Sequence, residues 1–118
     1  MSKAEESHIC YEIVYLSPAQ RDLQRLMDFL TAYEVSQARA QEILQGTVEK
    51  ISVLAKNPFL GFPIGGKYGF ETPYRGLICG SYIAVYEPIN ATNRAGARIE
   101  VRRICHERED YLSQLKQE

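Results

Sequence analysis

Ser17-Pro18-Ala19-Gln20 opens a helix, and that start organises everything around it. Serine suits the N-cap, and proline suits the first helical position, where its missing N–H costs nothing. Glutamine at the third position completes a capping box. Upstream, residues 9–16 are β-branched and aromatic, apolar on both alternating faces, which predicts a covered strand. Downstream, Leu23, Leu26, Met27, Leu30 and Tyr33 recur every three or four residues, one apolar stripe along a helix. After a short turn at Glu34-Val35, Ser36 caps a second helix with the stripe Ala40, Ile43, Leu44, Val48, Ile51 and Leu54. Asn57-Pro58 ends it, since proline cannot continue a helix. So short a linker makes the two helices an antiparallel hairpin. Gly46 inside the second helix costs roughly 1 kcal/mol against alanine, and its expected reason is close packing on the first helix.

Beyond the hairpin, residues 59–73 form a loop rich in glycine and aromatics, and then the period becomes two. Residues 74–80 and 81–88 are predicted strands meeting at Gly80-Ser81, a glycine-led pair suited to a tight hairpin. Residues 90–96 are a polar turn, 97–106 the last strand, and 107–116 a charged terminal helix. The order is β-α-α-β-β-β-α. Without β-α-β-α alternation, a doubly wound parallel sheet is disfavoured. The expected class is α+β, a helical hairpin on one face of a mainly antiparallel sheet. Its core should join the helix stripes to Ile13, Val85, Ile99 and Val101.

The 118 residues suit a single domain spanning 1–118, with 1–8 as a flexible N-terminal tail. Hydrophobic residues are 45% and charged residues 25%, a globular balance that argues against disorder. No apolar run reaches the length of a membrane span, and the first seven residues lack the apolar core of a secretory signal. The expectation is a cytoplasmic protein with no membrane contact. Cys10, Cys79 and Cys105 show no Cys-x-x-Cys spacing, so they are expected as small buried hydrophobes rather than disulfides or metal ligands. Adjacent Cys105 and His106 point to opposite faces of a strand. Neither a metal nor any other cofactor is expected. The net charge of −1 hides an asymmetry, because residues 67–103 hold six basic and three acidic side chains. Gly61-Phe62-Pro63-Ile64-Gly65-Gly66-Lys67-Tyr68 approaches a phosphate-binding loop. It fails where Tyr68 replaces the magnesium-binding hydroxyl residue and where no strand precedes it.

The chemistry-bearing side chains gather late in the chain. Strict alternation along residues 98–106 puts Arg98, Glu100, Arg102, Ile104 and His106 on one face, expected to be open. A guanidinium is a planar fork suited to phosphate or carboxylate, and a nearby histidine moves protons at neutral pH. The plainer expectation is cross-strand pairing, such as Arg102 with Glu87.

Five segments together resemble the RelE/ParE superfamily of type II toxins. They are Ser17-Pro18-Ala19 with Asp22-Leu23, Leu54-x-x-x-Pro58-x-x-Gly61, Tyr74-Arg75-x-Leu77, Tyr82-Ile83-Ala84-Val85-Tyr86 and His106-x-Arg108-x-Asp110. The resemblance implies the RelE/ParE-like fold and a toxin–antitoxin role. RelE-like members are metal-independent endoribonucleases that cut mRNA on the ribosome. On that reading Arg75 would hold the phosphate, His106 would act as acid or base, and Arg108 would add charge. RelE-type members carry a lysine pair, whereas here Lys67 stands alone. ParE-like members share the fold, lack that catalytic set and inhibit DNA gyrase without being enzymes. The Leu-x-x-x-Pro-x-x-Gly run and the His-x-Arg-x-Asp ending are closer to the ParE type. A non-toxic binding module with the same fold is a third reading. The implied partners are a cognate antitoxin, met through Arg75, Arg102, Arg103 and Tyr111, and either gyrase or the ribosome with its mRNA.

Overall fold

The computed structural model describes residues 10–33, 36–90 and 96–107. The expected N-terminal tail, the turn at Glu34-Val35, the terminal helix beyond Glu107, and with it Arg108 and Tyr111, lie outside the described residues. Strand β1 (Glu12–Tyr15) leads into helix α1 (Ser17–Ala32) and helix α2 (Gln37–Ser52), which runs on into a 3-10 turn at Val53–Ala55. A two-residue strand β2 (Phe62–Pro63) and a short helix α3 (Ile64–Tyr68) follow, then β3 (Arg75–Cys79), β4 (Tyr82–Ile89) and β5 (Arg98–His106). The sheet order is β1-β5-β4-β3-β2. Among the described residues the β1–β5 pair is parallel and the other three pairs are antiparallel. This is the α+β arrangement the patterning predicts, with β2 and α3 added.

Those two short elements replace the expected loop between residues 59 and 73. Pro63 is tolerated because β2 is an edge strand, where no ladder partner needs its N–H. The first helix also begins one residue earlier than its signal suggests. Leu16 is the N-cap and Ser17 is already helical, so no side chain caps that end. Gln20 instead reaches back to donate Nε2 to the Tyr15 carbonyl at 2.7 Å. The second helix starts as expected, the Ser36 hydroxyl accepting from the Arg39 N–H at 3.1 Å. Gly80 at φ +63° leads the two-residue β3–β4 turn.

The helices bury Ala19, Leu26, Leu30, Ala40, Ile51 and Leu54. Ile51 and Leu54 cluster with Leu77, Ala84, Tyr86, Ile99, Val101 and Ile104 of the sheet, with Ile13 packed alongside. Val85 departs from the expected core. It lies on the opposite face with Ile83, Cys105 and Ile64, covered by Phe62, Phe70 and Tyr74. The sheet therefore has two covered faces, and Cys79 and Cys105 are buried while Cys10 is exposed.

Strict alternation along β5 fails at one residue. Val85 pairs with Arg103 but its neighbour Tyr86 pairs with Val101, so Arg102 is an extra residue, a β-bulge. The bulge swaps the faces beyond it. Ile104 joins Ile99 and Val101 under the helices, and His106, opposite Tyr82, follows it. The open row of arginines with a histidine does not form.

Candidate functional site

Arg75 is committed to the backbone. Its Nε and Nη2 donate to the Gly61 carbonyl at 3.1 and 2.6 Å, and Nη2 also donates to the Phe59 carbonyl at 3.1 Å. The guanidinium stacks 5.3 Å from the Phe59 ring centroid. Buried Tyr86 serves the same loop: its hydroxyl accepts from the Gly61 N–H and donates to the Pro58 carbonyl, both at 2.9 Å. Burial pushes the Tyr86 hydroxyl above its ordinary pKa, opposed by the Gly61 N–H and by Arg75. A Cβ on Gly61 would collide with the Gly76 carbonyl oxygen and the Tyr86 ring, which explains glycine here. Three of the sequence segments thus converge on one loop anchor.

The β5 arginines are engaged too. Arg103 makes a forked pair with Asp22 of α1, Nε at 2.8 Å and Nη2 at 3.1 Å. The same carboxylate accepts the Ile104 N–H at 2.8 Å. Strand β1 pairs only with residues 98–101 of β5, so Asp22 stands in for the missing strand partner further along. Arg102 contacts Glu100 at 3.5 Å and Glu87 at 3.7 Å, the expected cross-strand pair, and stacks 4.9 Å from the Tyr74 ring. Arg98 pairs with Glu100 at 2.9 Å.

Arg75 and His106 are not brought together. Arg75 lies opposite Tyr86 and His106 opposite Tyr82, on either side of β4. Four residues along a strand is roughly 13 Å, and two strand spacings add roughly 10 Å across the sheet. One phosphate cannot bridge that separation.

His106 instead marks a cleft where the helical hairpin rises off the sheet. Its ring meets Tyr82 edge-on at 5.3 Å. One lobe, of about 370 Å³, lies between Leu26 and Phe29 of α1 and Tyr82, Ile104 and His106 of the sheet. A second lobe of about 690 Å³ shares Tyr82 and His106 and runs beneath α2 to the β3–β4 turn. Gly46 lines that lobe, and a Cβ there would meet nothing within 4 Å. It opens the cleft wall, which corrects the expectation of close packing on α1. Phe29 and Tyr33, 52% and 69% exposed, stack at 4.6 Å beside the first lobe. Arg25 lines the first lobe, Arg39 and Lys50 the second.

In the sequence Asp22 carries no expected role beyond a family motif, and no pattern there points to the cleft. Asp22 had a signal: it falls on the buried stripe Ala19, Asp22, Leu26, Leu30, where an acid needs a partner. The near-match to a phosphate loop is occupied by β2 and α3, with Lys67 stacked over Phe62 at 4.6 Å. Among the described residues no group of three or more His, Cys, Asp or Glu side chains could hold a metal. Among them, too, no helix is long and apolar enough to cross a membrane.

A family model described as "ParE toxin of type II toxin-antitoxin system, parDE" matches residues 13–111. The chain belongs to the ParE toxin family. This ParE-family toxin resembles a solved chain from the "Chromosomal ParDE TA system from P. aeruginosa", with a TM-score of 0.65 and 19% identity. The match covers 82% of this chain and 96% of that one, and at such identity it speaks for the fold. No curated protein matches the chain. Membership makes it the toxin half of a type II pair, with a cognate antitoxin as its partner.

Proposed function

We propose that this toxin acts as a non-enzymatic inhibitor of DNA gyrase rather than as an mRNA endoribonuclease. The observation that carries the reading is the separation of Arg75 from His106, with Arg75 spent on the Phe59 and Gly61 carbonyls. Phosphodiester cleavage by a 2′-hydroxyl needs charge stabilisation and proton transfer at one phosphate, and these two groups cannot serve together. Arg108, the third expected member, lies outside the described residues. The toxin half of a pair must be held by its antitoxin. Arg102 and Arg103 remain proposed contacts, as does Tyr111, but both arginines would meet a partner while still held by their internal carboxylates.

The test runs purified toxin in two assays, supercoiling by purified gyrase and mRNA cleavage in a translation extract. Lost supercoiling with intact mRNA is the expected result. Cleaved mRNA with unaffected supercoiling would overturn the reading in favour of a ribonuclease.

A further inference from the structure

We infer that an extended segment of the cognate antitoxin adds to the sheet as a further strand along the edge of β3. Strand β2 pairs only with Arg75 and Gly76. Among the described residues no strand lies beyond Leu77, Ile78 and Cys79 on that side. The β3–β4 turn decides which backbone groups face outward there. With Gly80 and Ser81 as its two residues, Cys79 and Tyr82 are the closing hydrogen-bonded pair. Bonds to β4 then fall on Leu77 and Cys79, while the N–H and C=O of Gly76 and Ile78 point away. Gly76 meets Phe62 of β2. Ile78 offers the same two groups to an edge that no described strand covers, beside a side chain that is 57% exposed. An edge of this kind is a template for an added strand.

The helix above this edge is shaped for such a visitor. Gly46, Thr47 and Lys50 of α2 form the 690 Å³ lobe together with Ile78 and Cys79. Glycine in mid-helix is unfavourable, and at Gly46 no packing inside the chain requires it, since a Cβ there meets nothing within 4 Å. What its absence leaves is room for another backbone to approach closely. Charge sets the chemistry of the segment. Arg39 is paired with Glu42, whereas Lys50 makes no ion pair among the described residues, and its charge reaches Cys79 on the edge strand. A strand with alternating apolar side chains and a carboxylate placed for Lys50 fits both walls. A second copy fits less well. Two-fold pairing of β3 with its equivalent would bring the two α2 helices together on one face, basic side chains against basic side chains. The inference uses the toxin–antitoxin pairing and is independent of the gyrase reading.

The experiment is amide hydrogen exchange, resolved residue by residue by NMR, on the full-length toxin alone and in complex with the antitoxin of this pair. In the free toxin the Ile78 amide should exchange quickly while Leu77 and Cys79 are protected. In the complex Ile78 should slow by roughly tenfold or more as its N–H gains a strand partner. Unchanged exchange at Ile78 in the saturated complex would overturn the inference. So would slow exchange at Ile78 in the free toxin, since the edge would then be taken already, by a second copy if the slowing grows with concentration. Gly46→Leu gives an independent reading. It should keep or raise the thermal midpoint of the free toxin, because leucine is the better helix former. It should also weaken antitoxin binding by roughly tenfold or more through crowding of the groove. Undiminished affinity in the folded variant would contradict the inference, and if the variant failed to fold, the exchange at Ile78 in the parent would decide alone.

Discussion

Asp22 concentrates more structural consequence than any other charged side chain among the described residues. It is 6% exposed, takes the Arg103 fork, and closes the open edge of β5 through the Ile104 N–H. Removing it takes the forked carboxylate from Arg103 and the acceptor from the Ile104 N–H in a poorly hydrated place. Asp22→Ala should cost about 3–5 kcal/mol, the usual penalty for breaking a buried pair on one side, and urea denaturation reads it directly. A loss below about 1 kcal/mol would mean that the Asp22–Arg103 pair behaves as a surface ion pair. Tyr86→Phe removes both hydrogen bonds holding the Pro58–Gly61 loop. It should cost about 1–3 kcal/mol by leaving the Gly61 N–H unpaired, a loss that thermal unfolding would register.

Among the elements, the helix hairpin was legible in the sequence because a 3.6-residue stripe and a capping serine are local signals. The Gly80-Ser81 hairpin was legible for the same reason. The bulge at Arg102 was not, since an extra residue in one strand shows only against the register of its partner. That one residue turned an expected open row of arginines and a histidine into two separate environments. Strand β2 was hidden because two residues make no period. The stripe itself is testable: Leu26→Ala and Ile51→Ala should each cost about 2–5 kcal/mol through lost burial and the cavity left. Losses under 1 kcal/mol at both would mean that the hairpin does not lie on the sheet. The layer between helices and sheet also predicts alkaline sensitivity. Burial pushes Tyr15 up to about 12 from 10.0, aided by Cys79, and burial pushes Cys79 up to about 11 from 9.0. Each is held neutral in the folded state, so the folded form binds more protons than the unfolded chain above pH 9. Stability is therefore full below about pH 9 and falls as pH climbs through about 11 and 12. Denaturation midpoints across that window, with tyrosinate absorbance alongside, should fall together; a flat profile would contradict the burial of these groups.

The molecule as a whole gathers its sequence motifs for architecture. Leu54-x-x-x-Pro58-x-x-Gly61, Tyr74-Arg75-x-Leu77 and the Tyr82–Tyr86 run meet at one loop anchor, where Arg75 and Tyr86 hold Pro58, Phe59 and Gly61. At the other end, His106 closes a cleft against Tyr82. On the proposed reading, a chain with its arginine and histidine divided this way would act by binding, and growth inhibition should not depend on proton transfer by His106. Induced expression of His106→Gln beside the parent tests this most directly, with folding checked by circular dichroism and cellular mRNA examined for new ends. The account predicts arrest by the variant at the parent's level and no new mRNA ends in either strain. Loss of arrest in the folded variant, together with mRNA ends produced by the parent and reduced a hundredfold or more, roughly the span expected for a lost acid/base group, would contradict it.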